Sequence, residues 1–355
     1  MRIFQRALLR EFAGLAGAVF LTLFAIAVTT RLIRLLGQAA GGKIPSDAVV
    51  AFLGFFSLGV LPLLLSLSVF VTIIVALTRS FRDSEMVVWF SSGLSLTAWI
   101  RPVLTFALPV VLAISALALF ITPWAAQMAE KYRAQLESRD DVARVNPGVF
   151  GESRNKDRVF FVESLTEDRS QVQNVFVSSV QQGHAGVVRS ERGYTETAPN
   201  GDRFLVLEKG RRYEGEPGET EYRVMEFERY ATRIESKEAA EPVLGHAEKT
   251  TLELMENPTN ADLGELVWRI SLPLSALILS LLAVPMSFVN PRAGRSANLI
   301  FALLTYLVYS NLISVSQAQV AQGKISFAMG ATLVHSVMLV IMVLLFAYRK
   351  RIPQR

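Results

Sequence analysis

The sequence predicts a membrane protein that is all-α within the bilayer, with three transmembrane helices before and three after an inserted all-β domain. Hydrophobic residues make up 51% of the 355 positions, and the mean hydropathy is +0.36. The apolar residues form long uncharged runs on either side of one polar stretch, residues 130–262. That stretch holds 19 Lys and Arg against 26 Asp and Glu, whereas the rest of the chain holds 17 against 5. This separation indicates two different environments along one chain.

The N-terminal half, residues 1–129, contains three predicted spans at about 12–36, 48–78 and 102–128. Each is long enough for the roughly 20 residues that cross a bilayer. The first is predicted to be an uncleaved helix, because its apolar run is longer than that of a signal peptide and no small-residue cleavage site is convincing. The second exceeds what a bilayer requires, so it is tilted, kinked near Pro62, or partly outside the lipid.

The C-terminal half, residues 263–355, contains three more predicted spans at about 266–289, 296–317 and 325–348. His335 falls in the middle of the sixth span. A polar ring at that depth needs a partner. We expect it to make an interhelical hydrogen bond rather than to relay protons.

The basic residues of the short loops and tails predict the orientation. With both termini in the cytoplasm, the outer short loops hold little more than Lys43 and Lys324. The inner segments then collect Arg2, Arg6, Arg10, Arg79, Arg82, Arg101, Arg292, Arg295, Arg349, Lys350, Arg351 and Arg355. The positive-inside rule favours this topology, so the acidic insertion faces away from the cytoplasm.

The insertion, residues 130–262, is predicted to begin with helical turns at 130–141 and to continue as a small β sandwich, roll or barrel. Short runs rich in Val, Phe and Tyr alternate with Asn, Pro and Gly turn signals. The predicted strands are Arg158–Val162, Val172–Val177, Gly186–Val188, Phe204–Leu207 and Tyr222–Phe227. His184 and His246 have no acidic or serine partner at a recognisable spacing, so both are interpreted as surface residues.

Arg31 and Arg34 lie one helical turn apart near the outer end of the first span, so their guanidinium groups share one helix face. Charges at this depth face a protein interior, a watery cavity or an anionic head group, and planar guanidinium groups suit bidentate binding of phosphate. The alternative is that both side chains snorkel to the outer interface. Two arginines on the outer side oppose the positive-inside bias, which favours a functional role.

The inner loop at residues 79–101 contains a second candidate site. Ser84 is predicted to cap a short helix that presents Met86, Val87, Trp89 and Phe90, with Glu85 in its first turn. Such a helix either lies on the membrane surface or docks a cytoplasmic partner.

The sequence contains no signature of an enzyme. Cysteine is absent, so thiolate metal sites and cysteine nucleophiles are excluded. No G-x-x-x-x-G-K-[ST] motif occurs, so the chain has no P-loop for ATP. If the protein belongs to an ATP-driven machine, the motor is another polypeptide.

Four stretches carry a resemblance to a known family. They are the Arg-rich start, the loop RSFRDSEMVVWFSSGLS, the NPGVF that opens the β domain, and the loop PMSFVNPRAGRS before the fifth span. With these, essentially the whole chain resembles the lipopolysaccharide export permeases of the LptF/LptG (YjgP/YjgQ) family. The pair Arg31 and Arg34 resembles the basic pair in the first helix of the LptF branch, so we expect that branch rather than LptG.

The resemblance implies an ATP-driven exporter in a bacterial inner membrane. The expected partners are an LptG-like sibling permease in a heterodimer, two copies of a cytoplasmic LptB-like ATPase, and an LptC-like protein with a single span. ATP and Mg²⁺ would bind the ATPase, and no cofactor is expected on this chain. The complex would extract lipopolysaccharide from the outer leaflet and pass it through periplasmic β-jellyroll domains toward the outer membrane. Membrane lipids are further contacts, and nucleic acid is not expected.

The resemblance also implies roles for particular residues. Arg31 and Arg34 would meet the lipid A phosphates or inner-core charges, and Glu85 would lie in the coupling helix that fits the ATPase. The residues expected to shape that contact are Arg79, Arg82, Met86, Trp89 and Phe90. Asn311 and Gln317 on the fifth span are candidates for a cavity wall, because amides in a bilayer seek a polar surface.

Two other functions are weighed against this one. A secondary transporter would carry acidic residues within its spans for ion coupling, and the six uncharged runs contain none. A membrane-anchored periplasmic sensor or assembly scaffold would use the β domain to bind a ligand without transport. It predicts that Arg31 and Arg34 are dispensable for lipid flux.

Overall fold

The computed structural model divides the chain into two compact units, a helical unit of Met1–Ala129 with Leu244–Arg355, and a β unit of Glu130–Val243. Each unit is described by itself. The residues that the structure describes are 3–41, 44–143, 148, 150–152, 158–165, 171–181, 184–197, 203–215, 222–235, 244–288 and 297–351.

The N-terminal half of the helical unit contains two long helices, a short helix and a composite third span. The elements are α1 (Ile3–Ala40), α2 (Ala48–Arg82), α3 (Glu85–Ser91), a 3-10 turn (Leu96–Trp99), α4 (Ile100–Ala116), a π turn (Leu117–Ile121) and α5 (Thr122–Ala143), whose residues from Glu130 onward belong to the β unit. The third span is therefore one continuous helical rod with a wider turn in it. π turns of this kind occur as single-turn bulges inside α-helices.

The C-terminal half contains a one-turn helix and three long helices: α6 (Glu253–Glu256), α7 (Asn260–Met286), α8 (Ala297–Ala321) and α9 (Phe327–Arg351). A capping box begins α7, because the Thr259 hydroxyl accepts from the Asp262 N–H while the Asp262 carboxylate accepts from the Thr259 N–H. This reciprocal pair satisfies two of the helix's free N–H groups.

Six helices in the described part of the chain are long and apolar enough to cross a membrane, three before and three after the β unit. The predicted class, membrane helices flanking an inserted β domain, is confirmed. Most of α2 and α7 is buried, whereas α1, α8 and α9 leave most of their apolar surface exposed. Thus α2 and α7 form the centre of the unit.

The predicted interhelical hydrogen bond of His335 is confirmed. Its ring lies between Tyr309 Oη, 2.6 Å from Nδ1, and Ser271 Oγ, 3.0 Å from Nε2. The ring is 4% exposed. These contacts join α7, α8 and α9 around one polar group.

The prediction assigned residues 244–262 to the inserted domain, whereas the structure places them in the helical unit. Thr251 bonds the main chain of Leu119 in the third span, and Leu254 is fully buried. These residues are polar enough to resemble a soluble domain. Their contacts, however, are with the membrane helices.

The β unit contains one six-stranded antiparallel sheet in which each strand pairs with its neighbours in sequence. The strands are β1 (Phe150–Glu152), β2 (Arg158–Leu165), β3 (Gln171–Gln181), β4 (His184–Thr197), β5 (Arg203–Gly215) and β6 (Tyr222–Glu235). All five predicted strands fall within β2 to β6, and the predicted helical lead-in at 130–141 falls within α5. The described strands form a meander, without the crossed connections of a jellyroll.

The core of the sheet is small and apolar. Val175, Val188 and Leu207 are buried at its centre, with Phe227 and Tyr230 packed against them. The Phe227 ring covers Gly210, its partner across β5 and β6, and a Cβ at Gly210 would lie 2.4 Å from that ring. A side chain at Gly210 would displace the ring from the core.

Candidate docking and lipid-binding sites

The short helix α3 follows α2 after a turn of two residues, Asp83 and Ser84. Ser84 occupies the N-cap position as predicted, but its side chain makes no capping hydrogen bond. Its backbone is left-handed, with φ of 59°, because the chain must change direction within the turn. The predicted serine cap is therefore wrong, although the predicted helix is present.

The carboxylate of Glu85 is bound within the chain. It accepts a hydrogen bond from Ser80 Oγ at 2.9 Å and forms an ion pair with Arg79 at 3.1 Å. The Arg79 guanidinium also binds Glu11 of α1 in bidentate fashion, at 2.6 and 2.8 Å. The Arg79 side chain therefore contacts α1 and is only partly exposed to solvent. The prediction had assigned it to the docking surface.

Three of the predicted docking residues lie on the side of α3 that packs against the core. Met86 is 2% exposed, and its sulfur accepts the indole N–H of Trp99, which is also buried. Trp89 and Phe90 are half-buried and pack against the same core cluster. The prediction that Met86 belongs to an outward face is therefore wrong, because the core beneath the helix covers its side chain.

The outward face of α3 is formed by Val87 and Val88, which are 62% and 66% exposed. Arg82, at the end of α2, is also exposed and pairs with Asp83 at 3.4 Å. The prediction from the sequence included Val87 on this face but not Val88. The apolar residues between Glu85 and Ser91 are contiguous, so a helix of seven residues gives no periodic signal for which side is buried. The opposite side of α3 is fixed against the core. Its two exposed valines are therefore suited to contact an apolar groove on another protein.

Arg31 and Arg34 lie in the last third of α1, where the sequence placed them. Arg31 is half-buried, and its guanidinium stacks over the ring of Phe56 at 5.1 Å, whereas Arg34 is exposed. The buried Arg31 Nε has no hydrogen-bond partner. Among the described residues neither guanidinium forms an ion pair with a carboxylate, so both retain donors for an anionic ligand.

The two predicted cavity amides differ in environment. Asn311 is exposed and donates to the Leu307 carbonyl of its own helix at 2.8 Å. Gln317 is half-buried at a close approach of α7 and α8, where its carbonyl would lie 2.9 Å from a Cβ on Gly264. Asn311 therefore lies on an open face of α8, and Gln317 lies against α7.

A polar cluster that the sequence did not predict surrounds the start of α7. We call residues 244–259 the pre-α7 segment. Asp262 is 1% exposed and lies 2.7 Å from His246 Nδ1 and 2.8 Å from Lys249 Nζ. His246 is an exposed residue, as interpreted, but it is not isolated, because Asp262 is its partner. The side chain of His184 lies outside the described residues.

Arg269, two turns beyond Asp262 in α7, binds the main chain of the same segment. The guanidinium is 2% exposed and donates to the carbonyls of Ala247 at 3.2 Å and Lys249 at 3.0 Å, and to Glu265 at 2.9 Å. A buried cation with this many acceptors is a structural anchor. The Glu265/Arg269 spacing of four residues was the available sequence signal.

Within the described residues no group of three or more His, Asp or Glu side chains is placed to hold a metal ion. The loop before the fifth span, at residues 289–296, and most of the NPGVF stretch lie outside the described residues.

Six helices long and apolar enough to cross a membrane, three before and three after a β domain in the described part of the chain, define a multi-span membrane protein with an inserted β domain. The family model described as lipopolysaccharide export system permease LptF/LptG matches residues 6–348. The chain belongs to this permease family, whose members are transporter subunits rather than enzymes.

Curated relatives include the lipopolysaccharide export system permease proteins LptF of Escherichia coli strain K12, Escherichia coli O157:H7 and Shigella flexneri. Each is 27% identical over 326 residues, which cover 91% of this chain and 88% of the relative. The predicted likeness to LptF is confirmed.

Proposed function

We propose that this chain is a permease subunit of an ATP-driven exporter that extracts lipopolysaccharide from the outer leaflet of the inner membrane and passes it through its β domain toward the outer membrane. The main support is the family match from residue 6 to residue 348, which includes both helical halves and the β domain. Both termini and α3 are cytoplasmic in this proposal, and the β domain is periplasmic.

The motor is proposed to be a separate ATPase, in two copies, that binds α3 and its counterpart on the sibling permease. Support comes from Val87 and Val88, which extend an apolar surface from a helix fixed by the buried Met86. Glu85 would orient the helix from its inner face.

The sibling permease is proposed to cover the exposed apolar surfaces of α1 and α8. Both helices leave most of their apolar residues exposed within this chain. Lipopolysaccharide would bind between the two permeases, with Arg31 and Arg34 contacting its phosphates and Asn311 in the cavity wall. An LptC-like protein would join through its single helix.

The experiment is to purify the tagged chain from gently solubilised membranes and to identify its partners by quantitative mass spectrometry. The expected result is an ATPase at two copies per chain, a sibling permease at one copy, and bound lipopolysaccharide. Recovery of the chain alone, or only with further copies of itself, would overturn the proposal.

A further inference from the structure

Arg79 connects two parts of the helical unit that otherwise lie on opposite sides of a cleft. The cleft has a volume of about 360 Å³ and is lined by Leu8 and Glu11 of α1 on one side and by Glu85, Val88 and Trp89 of α3 on the other. From the end of α2, the Arg79 guanidinium binds Glu11 through two hydrogen bonds and Glu85 at 3.1 and 3.4 Å, and it also pairs with Asp83 at 3.4 Å. The result is one ionic chain from α1 to α3.

The geometry of these ion pairs indicates a specific contact rather than a loose pair at the surface. Both Glu11 oxygens are within 2.8 Å of guanidinium nitrogens, and the Glu11 side chain is only 20% exposed. Bidentate arginine–carboxylate pairs are among the stronger hydrogen-bonded contacts, and networks of charges contribute more than isolated exposed pairs.

Within the chain α1 packs mainly along α2, and its middle faces outward. Only 6% of the residues in its most apolar stretch are buried. Near its first turns, Leu8 and Phe12 are buried in the core cluster that also contains Met86, and the Phe12 ring lies 5.2 Å from that of Phe106. The buried residues of α1 are therefore concentrated in its first turns, and Leu35 is a further buried position near its other end.

We propose that Arg79 is a positioning residue that transmits movement of the docking helix α3 to α1. The proposal rests on the proposed function. When the ATPase displaces α3, the ion pairs carry the displacement to Glu11, and α1 moves as a rod. Arg31 and Arg34 lie near the other end of that rod, so the lipid site changes as the motor cycles.

The test uses the complete complex reconstituted in proteoliposomes, with three variants: Glu11→Gln, Arg79→Gln and the double variant. ATPase copies per permease, ATP hydrolysis and lipopolysaccharide released per ATP are measured. We expect ATPase recovery and hydrolysis to persist in Glu11→Gln while lipid released per ATP falls by about fivefold or more. In the double variant, lipid released per ATP should fall no further than in Arg79→Gln alone, because the two substitutions remove the same ion pair.

Arg10→Gln is the matched control, because Arg10 adjoins Glu11, is exposed, and undergoes the same loss of charge as Arg79. It should release lipid at the normal ratio. Normal release per ATP in Glu11→Gln, or independent losses that multiply in the double variant, would overturn the transmission role and leave the proposed function intact. Failure of the unmodified complex to bind an ATPase would instead overturn the proposed function.

Discussion

The guanidinium of Arg269 donates a hydrogen bond to the hydroxyl of Thr251 at 3.0 Å. That hydroxyl donates in turn to the main-chain carbonyl of Leu119 in the π turn. A residue of α7 is thereby joined through the pre-α7 segment to the middle of the third span. The link fixes the point at which the chain re-enters the helical unit.

Replacing Arg269 by Met should destabilise the helical unit, because Glu265 and several main-chain carbonyls would lose a buried partner. Removing one member of a buried ion pair costs about 3 to 5 kcal/mol. We expect Arg269→Met to lower the free energy of unfolding by about that amount, measured by reversible unfolding in mixed micelles. Arg101→Met, at an exposed arginine, is the control, and equal losses in both would contradict the anchor.

Two glycines in the spans should respond to alanine with opposite sign. A Cβ on Gly330 would lie 2.3 Å from a methyl of Val320, whereas nothing lies within 4 Å of one on Gly54. We expect Gly330→Ala to cost about 1 to 3 kcal/mol through overpacking. Gly54→Ala should raise the free energy of unfolding by about 0.5 to 1 kcal/mol through lower backbone entropy. Thermal unfolding of the purified chain measures both effects. A loss of stability in both variants would show that overpacking is not the cause at Gly330.

Val88→Asp should prevent recovery of the ATPase without unfolding the chain. The Val88 side chain is exposed, so its replacement disturbs little within the protein, while a buried valine contributes about 1.5 to 3 kcal/mol to an apolar contact. We expect ATPase recovery to fall about tenfold or more, since each tenfold change is about 1.4 kcal/mol. Leu252→Asp is the control, because it introduces the same charge at another exposed apolar residue, and it should leave ATPase recovery unchanged. Full recovery with Val88→Asp would place the docking surface elsewhere.

The double variant Arg31→Gln and Arg34→Gln should retain less lipopolysaccharide after purification. Hydrogen bonds to charged groups contribute about 1.5 to 3 kcal/mol each, so we expect a loss of about tenfold or more. Lys324→Gln, at another exposed cation, should bind normally. The ratio of lipid to protein by mass spectrometry measures the effect, and an unchanged ratio would favour snorkelling of both arginines.

The helices and strands were the most predictable part of the molecule. A span in lipid must satisfy its backbone groups internally, so a long uncharged run almost dictates a helix. The strands were found but predicted too short, as in Gly186–Val188 within β4. Their polar ends carry no apolar alternation, and only pairing with neighbouring strands extends them.

The sites were less predictable, because their partners are distant in sequence. Arg79 meets Glu11 across 68 positions, and Met86 is covered by Trp99 from beyond the next turn. At Asp262, the motif Thr-x-x-Asp marks a helix start, yet nothing in its spacing identifies His246 and Lys249 as partners. The residue types at these positions are visible in the sequence, but the direction in which each side chain faces depends on tertiary contacts.

The meander of the β unit bears on the order of folding as the chain is synthesised. Each described strand pairs with a strand that precedes or follows it directly, so none of these pairings waits for a distant segment. By contrast, α2 and α4 contact α7, which is synthesised only after the sheet is complete. We expect the sheet to form first and the first three spans to remain open at one side until α7 arrives to close them.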